Sequence, residues 1–537
     1  MGLSANPDLD WSSPAPGTYT RPLDTLETFY KILADSGKPL NREHWAITVS
    51  LRLKFPDSIE DPAPYLRRTW LAVRRLHPHI GAKPSPTGEA SITIPSLDGD
   101  DGDEWLAESF FVHAGEEVRD ADEAFSTLRP AETATAHWLP ASGELVLRSS
   151  HWRMEGIGML MLCHSFMSTL TSVLRFGVNA SPRLYKSAVG RGSLSPSLDA
   201  LAGSHLAEED TPEHLTKAAD GLCAEFLKGV PSIGLPTTEG SETAVPGATV
   251  RTYVDLDVPT SQAVKAACTR RGISVASAVH TAVIRATATY PQHPLARSYA
   301  SFFGTDLRKH LPRPYNTGEY AGGMYCSGLP LHVPDVLDSE GSGSFDAVSR
   351  HVSSVYKTDL GRFTTDEAGR AVSMLKVVAP FVRRTTRLFS TPPPPGLPPT
   401  QNPDLSNLGM LEKHLQRQYY FGWGLRDRVE VSDFWCGVDV LARSCYMHAW
   451  TFRDRVRLQS CFNESFYSRA FMDEVLARVE FELLEGLGLG LPGPSRRGVE
   501  AGIVGGREEG EEEEFEVVNE KMHGVMIPSV TVVCVDD

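Results

Sequence analysis

Several features that would assign this chain to a common functional class are missing from its 537-residue sequence. The formal net charge is −16, so the excess of lysine and arginine that draws nucleic-acid binders to phosphates is absent. The eight cysteines form no CxxC pair, so neither a zinc site nor a redox dithiol is indicated. Nucleic acid and a bound metal ion are therefore not expected as partners.

Long hydrophobic segments are missing as well. No uninterrupted apolar run approaches about 18 residues, and the N-terminus has neither the basic nor the apolar segment of a secretion signal. The sequence therefore predicts a cytoplasmic protein with reduced cysteines and no membrane insertion.

The length and the charge distribution indicate more than one folding unit. At about 150 residues per domain, the chain predicts two large lobes or more. Residues 187–210 are rich in serine, glycine and other small residues, which places a boundary near residue 200. A glutamate run at residues 508–514 is typical of a solvated tail. The predicted organisation is an extended lead-in at residues 1–20, an N-terminal lobe at 21–200, a C-terminal lobe at 201–490 and an acidic, disordered tail at 491–537.

Both halves of the chain show strand and helix patterns in alternation. Apolar and polar residues alternate over residues 46–55, as in a half-buried strand, and residues 62–76 carry apolar residues at helical spacing. The α/β pattern returns after residue 250, where Gly272 is expected to end one helix and Ser274 to cap the next. The remaining predicted strands lie at residues 135–139, 144–150, 250–258, 298–303 and 456–458, and the remaining helices at 159–173, 260–270, 274–290 and 468–487.

The HWRMEG segment at residues 151–156 carries the strongest chemical indication. His151 follows a predicted strand, and Gly156 and Gly158 precede a predicted helix, so His151 occupies a strand-to-helix corner. A histidine four residues before a carboxylate is a weak pattern in a chain with 17 histidines, and a buried core histidine is the competing interpretation. An unperturbed pKa of about 6.5 suits a histidine to the role of general base near neutral pH.

This segment resembles the HxxxDG region of a superfamily that contains plant BAHD acyltransferases, condensation domains of peptide synthetases and fungal alcohol acetyltransferases. The fungal enzymes of the trichothecene 15-O-acetyltransferase type are the most similar. Supporting segments are GISVASA at residues 272–278, Asp306-Leu-Arg308, SNLG at residues 406–409 and Asn463-Glu464 before the last predicted helix. The resemblance covers roughly residues 20–490.

The resemblance implies an α/β fold of two chloramphenicol-acetyltransferase-like lobes, each a mixed sheet flanked by helices, with an active-site channel between them. Acyl-CoA would enter this channel from one face and a small hydroxylated acceptor from the other. His151 would take the proton of the acceptor hydroxyl as its oxygen attacks the thioester. Acetyl-CoA would be a cosubstrate, no cofactor would be bound permanently, and a monomer would contain the whole site.

The carboxylate of the motif departs from the family pattern, because Glu155 stands where the relatives have aspartate. In those relatives the carboxylate supports the corner by pairing with an arginine. The resemblance makes Arg308, two residues after Asp306, its partner here, and Gly156 completes the motif. Glutamate is longer by one methylene group, so the pair could survive with a shifted partner or could weaken.

Two further segments each permit two interpretations. Ser406 and Asn407 resemble a channel segment in which a hydroxyl or amide could donate to the developing oxyanion, and a local turn is the alternative. Trp423 lies in YFGWG at residues 420–424, which resembles the DFGWG element of BAHD enzymes without its leading aspartate. Trp423 could therefore belong to the channel, or the two segments could be unrelated.

These patterns lead to three functional hypotheses. The first is an acyl-CoA-dependent O-acetyltransferase acting on a lipophilic secondary metabolite, such as a trichothecene-like terpenoid mycotoxin or a polyketide. The second is a condensation-type enzyme whose acyl donor is tethered to a carrier protein. The third is a non-catalytic relative that binds a ligand, for which Glu155 in place of aspartate is the only indication.

Overall fold

The computed structural model describes residues 9–85, 91–97, 102–113, 115, 118–180, 194–204, 208–357, 372–391, 396–490, 496–497 and 530–533. Within these residues, helices surround a six-stranded sheet, an eight-stranded sheet and a small four-stranded sheet. The predicted α/β class is thus confirmed. Most of the predicted tail at residues 491–537 lies outside the described residues.

The elements of the fold are numbered in chain order. The strands are β1 (Ser12–Ala15), β2 (Thr18–Pro22), β3 (Ile47–Lys54), β4 (Lys83–Pro84), β5 (Ser91–Ile94), β6 (Phe110–Val112), β7 (Thr135–Leu139), β8 (Glu144–Ser149), β9 (Thr249–Asp255), β10 (Tyr299–Asp306), β11 (Cys326–Val333), β12 (Pro403–Met410), β13 (Gln418–Tyr420), β14 (Arg428–Val438), β15 (Cys445–Phe452), β16 (Arg455–Asn463), β17 (Arg496–Arg497) and β18 (Val530–Val533). The helices are α1 (Thr25–Asp35), α2 (Ala63–Leu76), α3 (Asp103–Ser109), α4 (Ala121–Thr127), α5 (Gly156–Phe176), α6 (Leu198–Ala202), α7 (Glu213–Leu227), α8 (Val258–Arg271), α9 (Val275–Ala288), α10 (Phe345–Lys357), α11 (Met374–Ser390) and α12 (Arg469–Gly486).

The six-stranded sheet has the order β13-β14-β3-β8-β7-β6. Its central strand β3 is the one that the alternating pattern predicts, and Val49, Leu51 and Leu53 of this strand are buried. β7 and β8 form the predicted antiparallel hairpin before His151. β13 and β14 belong to the predicted C-terminal lobe, yet β14 pairs with β3. A single lobe boundary near residue 200 does not account for the pairing of β14 with β3, because strands can pair with segments that are distant in sequence.

The eight-stranded sheet has the order β11-β10-β18-β12-β15-β16-β9-β17. β18 comes from the predicted disordered tail and lies between β10 and β12, parallel to both. Residues 530–533 of the predicted tail thus form a strand of this sheet. The sequence of these residues is Val-Thr-Val-Val. Such β-branched residues favour strands, and here two neighbouring strands provide hydrogen-bond partners.

Two strands lie near the end of the predicted lead-in at residues 1–20, whose first eight residues lie outside the described part of the chain. β1 and β2 form a hairpin, and β2 pairs with β5 in the small sheet, whose order is β1-β2-β5-β4. The sequence did not predict the pairing with β5, because this strand is about seventy residues away along the chain.

The predicted helix signals are confirmed in the C-terminal half. Gly272 follows α8 with a φ of 67°, the left-handed conformation that glycine adopts easily. Ser274 caps α9 by accepting from the backbone N–H of Ser277. α5 is long and apolar enough to cross a membrane by length and composition alone, but 61% of its most apolar window is buried inside the protein, as in a core helix.

Asp439 connects the two large sheets. Its buried carboxylate accepts hydrogen bonds from Arg42, just before β3, and from Thr249 of β9, each at 2.5 Å. Arg148 of β8 lies 3.4 Å from the same carboxylate. Because these donors come from both sheets, Asp439 fixes their relative position at the place where β8 leads to His151.

Candidate active site

His151 lies in a buried turn between β8 and α5. Its side chain is 7% exposed, and the turn is closed by hydrogen bonds from Arg153 N–H to the Ser150 carbonyl and from Met154 N–H to the His151 carbonyl. Met154 also forms an isolated bridge with Gly323, which precedes β11 of the second sheet. The predicted strand-to-helix corner is therefore present, and it contacts the other half of the chain.

Two aromatic side chains contact the His151 ring, and a third packs against one of them. Tyr30 of α1 stacks on it with a centroid separation of 4.2 Å and an interplanar angle of 3°. Trp45, just before β3, lies 6.2 Å from His151 and 5.6 Å from Tyr446 of β15. Because Tyr446 belongs to the second sheet, the aromatic surroundings of His151 span both halves of the protein.

The electrostatics of His151 keep its ring neutral. Burial lowers the pKa of His151 from its ordinary value to about 4. Its Nδ1 is buried and has no hydrogen-bond partner among the described residues. A neutral imidazole of this kind can accept a proton from a bound molecule.

Glu155 has two structural roles at the start of α5. As the N-cap residue, it accepts from the backbone N–H groups of Ile157 at 2.7 Å and Gly158 at 2.9 Å. Its carboxylate also forms a buried ion pair with Arg308. The longer glutamate side chain therefore curls back onto its own helix while it still meets the arginine that the resemblance implies. Burial raises the pKa of Glu155, and the Arg308 charge opposes this.

Arg308 lies in a short 3-10 turn, Leu307–His310, that follows β10. Asp306 begins this turn, and its carboxylate accepts from the Arg308 backbone N–H at 3.0 Å. The guanidinium donates to the Ala321 carbonyl at 3.3 Å and lies over the Tyr325 ring at 5.1 Å. Burial acts to lower the pKa of Arg308, but Glu155 and Asp306 outweigh it and raise that pKa. The pair thus joins the His151 corner to the second sheet.

Glycine is required where α5 meets the second half of the chain. A Cβ atom at Gly158 would lie 2.5 Å from the backbone oxygen of Ala321, a contact that side chains do not make. At Gly156 the nearest atom, Cδ2 of Leu408, would lie at 3.2 Å. These close approaches explain the two glycines that follow Glu155 in the motif.

The structure separates the two candidate oxyanion residues. Asn407 uses its side-chain oxygen to accept the Gly409 backbone N–H at 2.8 Å, and Gly409 has a φ of 65°. This geometry favours the local-turn interpretation of Asn407. Ser406 is buried on β12, opposite His448 of the adjacent strand. The role of Ser406 as an oxyanion donor therefore stays a prediction.

Trp423 is fully exposed at the tip of the loop between β13 and β14, which is closed by a hydrogen bond from Phe421 N–H to the Asp427 carbonyl. This exposure favours the interpretation in which the FGWG segment is unrelated to the BAHD element. The channel role of Trp423 stays a prediction.

A cavity of about 960 Å³ opens beside α5. Its wall includes Met161 and His164 of α5, together with Arg313 and Lys413 from segments that follow β10 and β12. Neither His151 nor any other residue of the turn that carries it is part of this wall. Among the residues that the structure describes, no three His, Cys, Asp or Glu side chains are grouped as a metal site requires.

Four residues near His151 escaped the sequence predictions, namely Tyr30, His44, Trp45 and Tyr446. One local signal was present, because His44 and Trp45 immediately precede the predicted strand at residues 46–55. Trp45 has a φ of 65°, unusual for a bulky residue, and such strain is often found at functional sites. Nothing in the sequence indicated that these residues meet His151.

Comparisons with known proteins give relatives over nearly the whole chain, although no family model matches. The chain is 33% identical over 491 residues to the Loline biosynthesis cluster 1 transcription factor lolU1 of Epichloe uncinata, which covers 89% of this chain and 97% of that protein. It is 28% identical over 485 residues to the acetyltransferase pigO of Monascus ruber, covering 90% of this chain and 99% of that enzyme.

Solved structures share the fold. Trichothecene 15-O-acetyltransferase TRI3 of Fusarium sporotrichioides superposes with a TM-score of 0.71 over 91% of this chain and 100% of that chain, at 14% identity. The first condensation domain of the CDA synthetase has a TM-score of 0.55 over 87% of this chain and 96% of that chain, at 15% identity. The chain belongs to a family of fungal O-acetyltransferases with the condensation-domain fold.

The relatives of this acyltransferase carry two kinds of name. lolU1 is named a transcription factor and pigO an acetyltransferase, although both align with about nine-tenths of the chain. The fold of the acyltransferase is that of TRI3 and of condensation domains, as the resemblance implied. The expectation that nucleic acid is not a partner stays a prediction.

Proposed function

We propose that the protein transfers the acetyl group of acetyl-CoA to a hydroxyl group of a lipophilic secondary metabolite, with His151 as the general base. The observation that carries this proposal is the neutral, buried His151 ring between the two halves of an acyltransferase fold. The acetyltransferase names of pigO and pigM of Monascus ruber support acetyl as the transferred group.

The proposed reaction needs no covalent acyl-enzyme. The acceptor oxygen attacks the thioester carbonyl carbon while its proton moves to His151 Nε2, which gives an imidazolium ion and a tetrahedral oxyanion. When this intermediate collapses, the C–S bond breaks, and the CoA sulfur takes the proton from Nε2. The ester and CoA thiol are released, and His151 returns to its neutral form. General-base assistance of this kind contributes about 10²–10⁴-fold to a rate.

Glu155 and Arg308 act in this proposal as supports and not as acid or base. The Glu155 carboxylate is held by two backbone N–H groups and by Arg308, so its lone pairs are directed away from His151. With Asp306 and Gly156 they fix the start of α5, and hence the turn that carries His151. Positioning of this kind contributes to catalysis because small displacements of a base slow proton transfer.

The acceptor class is the least constrained part of the proposal. A trichothecene-like terpenoid or a polyketide is supported by relatives that include an Azaphilone biosynthesis cluster protein M of Aspergillus terreus, 27% identical over 348 residues. The aromatic rings of Tyr30, Trp45 and Tyr446 near His151 suit an acceptor with a large apolar surface. We further propose a cytoplasmic monomer; the cysteines of the described residues form no disulfide bond, which is in keeping with a reducing compartment.

The donor and the acceptor can be tested together. The purified protein is incubated with radiolabelled acetyl-CoA and a panel of hydroxylated terpenoids and polyketides, and labelled ester and free CoA thiol are both measured. We expect equal amounts of ester and thiol. Turnover with an acetyl group loaded on a carrier protein, but with no CoA ester, would favour a condensation-type enzyme instead. Binding of an acceptor without turnover of either donor would indicate a non-catalytic relative.

The pH dependence of the reaction should reflect the buried state of His151. A general base must be neutral, and burial lowers the pKa of His151 to about 4. We therefore expect kcat/KM to stay nearly constant from pH 7 down to about pH 5 and to fall only as pH approaches 4. Circular dichroism at each pH would separate this fall from unfolding. A decline centred near pH 6.5 would show that the working His151 ring is solvated.

A further inference from the structure

His44 lies beside His151 in a fully buried loop. The residues from Glu43 to Ala46 are all buried, and the His44 ring stacks on Trp45 at 5.1 Å with an interplanar angle of 27°. Trp45 in turn lies 6.2 Å from the His151 ring. The left-handed backbone of Trp45, with a φ of 65°, holds this arrangement in a conformation that a bulky residue seldom adopts.

The tautomer of His44 is fixed by its surroundings. The backbone N–H of Leu441 donates to His44 Nδ1 at 3.0 Å, so Nδ1 must carry a lone pair. Burial lowers the pKa of His44 to about 3, Asp439 opposes this shift, and a positive charge on nearby His151 would lower it further. The ring is therefore neutral, and its single proton lies on Nε2.

The Nε2–H of His44 is a buried donor without an acceptor among the described residues. Buried donors in folded proteins are nearly always paired, and an unpaired one destabilises the fold unless a ligand accepts its hydrogen bond. A positively charged second histidine would repel the imidazolium form of His151, whereas a neutral donor does not. His44 is therefore a neutral hydrogen-bond donor close to His151.

We infer that His44 Nε2–H donates to the thioester carbonyl oxygen and stabilises the oxyanion that forms on it. This inference rests on the proposed function. As the acceptor oxygen bonds to the carbonyl carbon, the carbonyl π electrons move onto the oxygen that His44 faces. When the C–S bond breaks, those electrons return to the carbonyl, and His44 keeps its proton throughout.

Two substitutions at His44 test the inference by kinetics. His44→Ala removes the donor, and we expect kcat to fall about 10²–10³-fold, as when other oxyanion donors are removed. The KM for acetyl-CoA should change little, because the hydrogen bond strengthens only as charge develops. His44→Gln places an amide N–H near the position of Nε2 and should recover part of the loss. His137→Ala, the same change at a buried histidine of β7 outside the His151 corner, should leave kcat near that of the wild type.

The possible results separate this inference from the proposed function. If the wild type transfers acetyl and His44→Ala is equally fast, or His44→Gln is as slow as His44→Ala while folded, the inference is wrong and the proposed function stands. If the wild type transfers no acetyl from acetyl-CoA, both are wrong. Nitrogen-15 NMR of the wild type gives a result independent of activity: an Nε2–H tautomer that does not titrate above pH 5 supports the inference. An Nδ1–H tautomer, or titration near pH 6.5, would overturn it.

Discussion

Arg308→Met is expected to lower the free energy of unfolding by about 3–5 kcal/mol, the usual cost of removing one partner of a buried ion pair. The Glu155 carboxylate is fully buried and would lose its only nearby opposite charge of those that the described residues provide. Urea unfolding followed by tryptophan fluorescence would measure the change. The variant should also lose activity, because the start of α5 holds the turn that carries His151.

Controls can separate charge from side-chain volume in this experiment. Arg271→Met breaks an ion pair with Asp346 that is largely exposed, and should change stability little. The double variant Arg308→Met with Glu155→Gln should be more stable than Arg308→Met alone, because it no longer buries an unpaired charge. If Arg308→Met lowers the free energy of unfolding as little as Arg271→Met does, the buried ion pair does not stabilise the corner that carries His151.

His151→Ala is expected to reduce kcat about 10²–10⁴-fold while the Kd for acetyl-CoA changes little. Removal of the ring deletes the only proton acceptor proposed for the reaction, but it leaves Glu155, Arg308 and the rest of the fold in place. Steady-state kinetics would give kcat, and calorimetric titration of the variant with acetyl-CoA would give the Kd. A loss of affinity with an unchanged kcat would mean that His151 binds substrate and is not the base.

The His151→Ala variant needs a matched control. His137 lies on β7, is buried like His151, and forms hydrogen bonds with the side chains of Thr135 at 2.9 Å and His113 at 3.0 Å. His137→Ala therefore removes an imidazole of similar burial without touching the corner. Thermal unfolding of both variants would show whether loss of the ring stacked on Tyr30 also affects stability.

The N-terminal half of the fold was predictable because its elements carry local patterns. β3, β7 and β8 lie within a residue or two of their predicted ends, and α2 begins one residue after its predicted start. Apolar and polar residues alternate in the sequence of β3, and the turn-rich connection at residues 140–143 marks the hairpin of β7 and β8, although both of these strands are buried along their whole length. The same holds for α8 and α9, whose ends are marked by Gly272 and Ser274.

The centre of the second sheet was not predictable in the same way. β12 and β15 are buried along most of their length, so apolar and polar residues do not alternate, and no prediction was made for them. The crossing of β14 to the first sheet and the insertion of β18 into the second depend on pairing between distant segments. Such pairings cannot be predicted from the residue pattern of a single segment.

The site was predicted only where a family motif existed. His151, Glu155 and Arg308 came from the resemblance, and the contact between the last two joins residues 153 positions apart. The fit of glutamate in place of aspartate became clear only in three dimensions, because Glu155 bends back to cap its own helix. His44 and Tyr446 belong to no motif, so only the fold could bring them to His151.

The central claim, that His151 is the base of an acetyl-CoA-dependent transfer, is tested most directly by one paired measurement. Labelled ester formed from radiolabelled acetyl-CoA is measured for wild type and His151→Ala with the acceptor that the wild type acetylates fastest. The account predicts rapid ester formation by the wild type and a rate about 10²–10⁴-fold lower in the folded variant. Equal rates for the two proteins would contradict it.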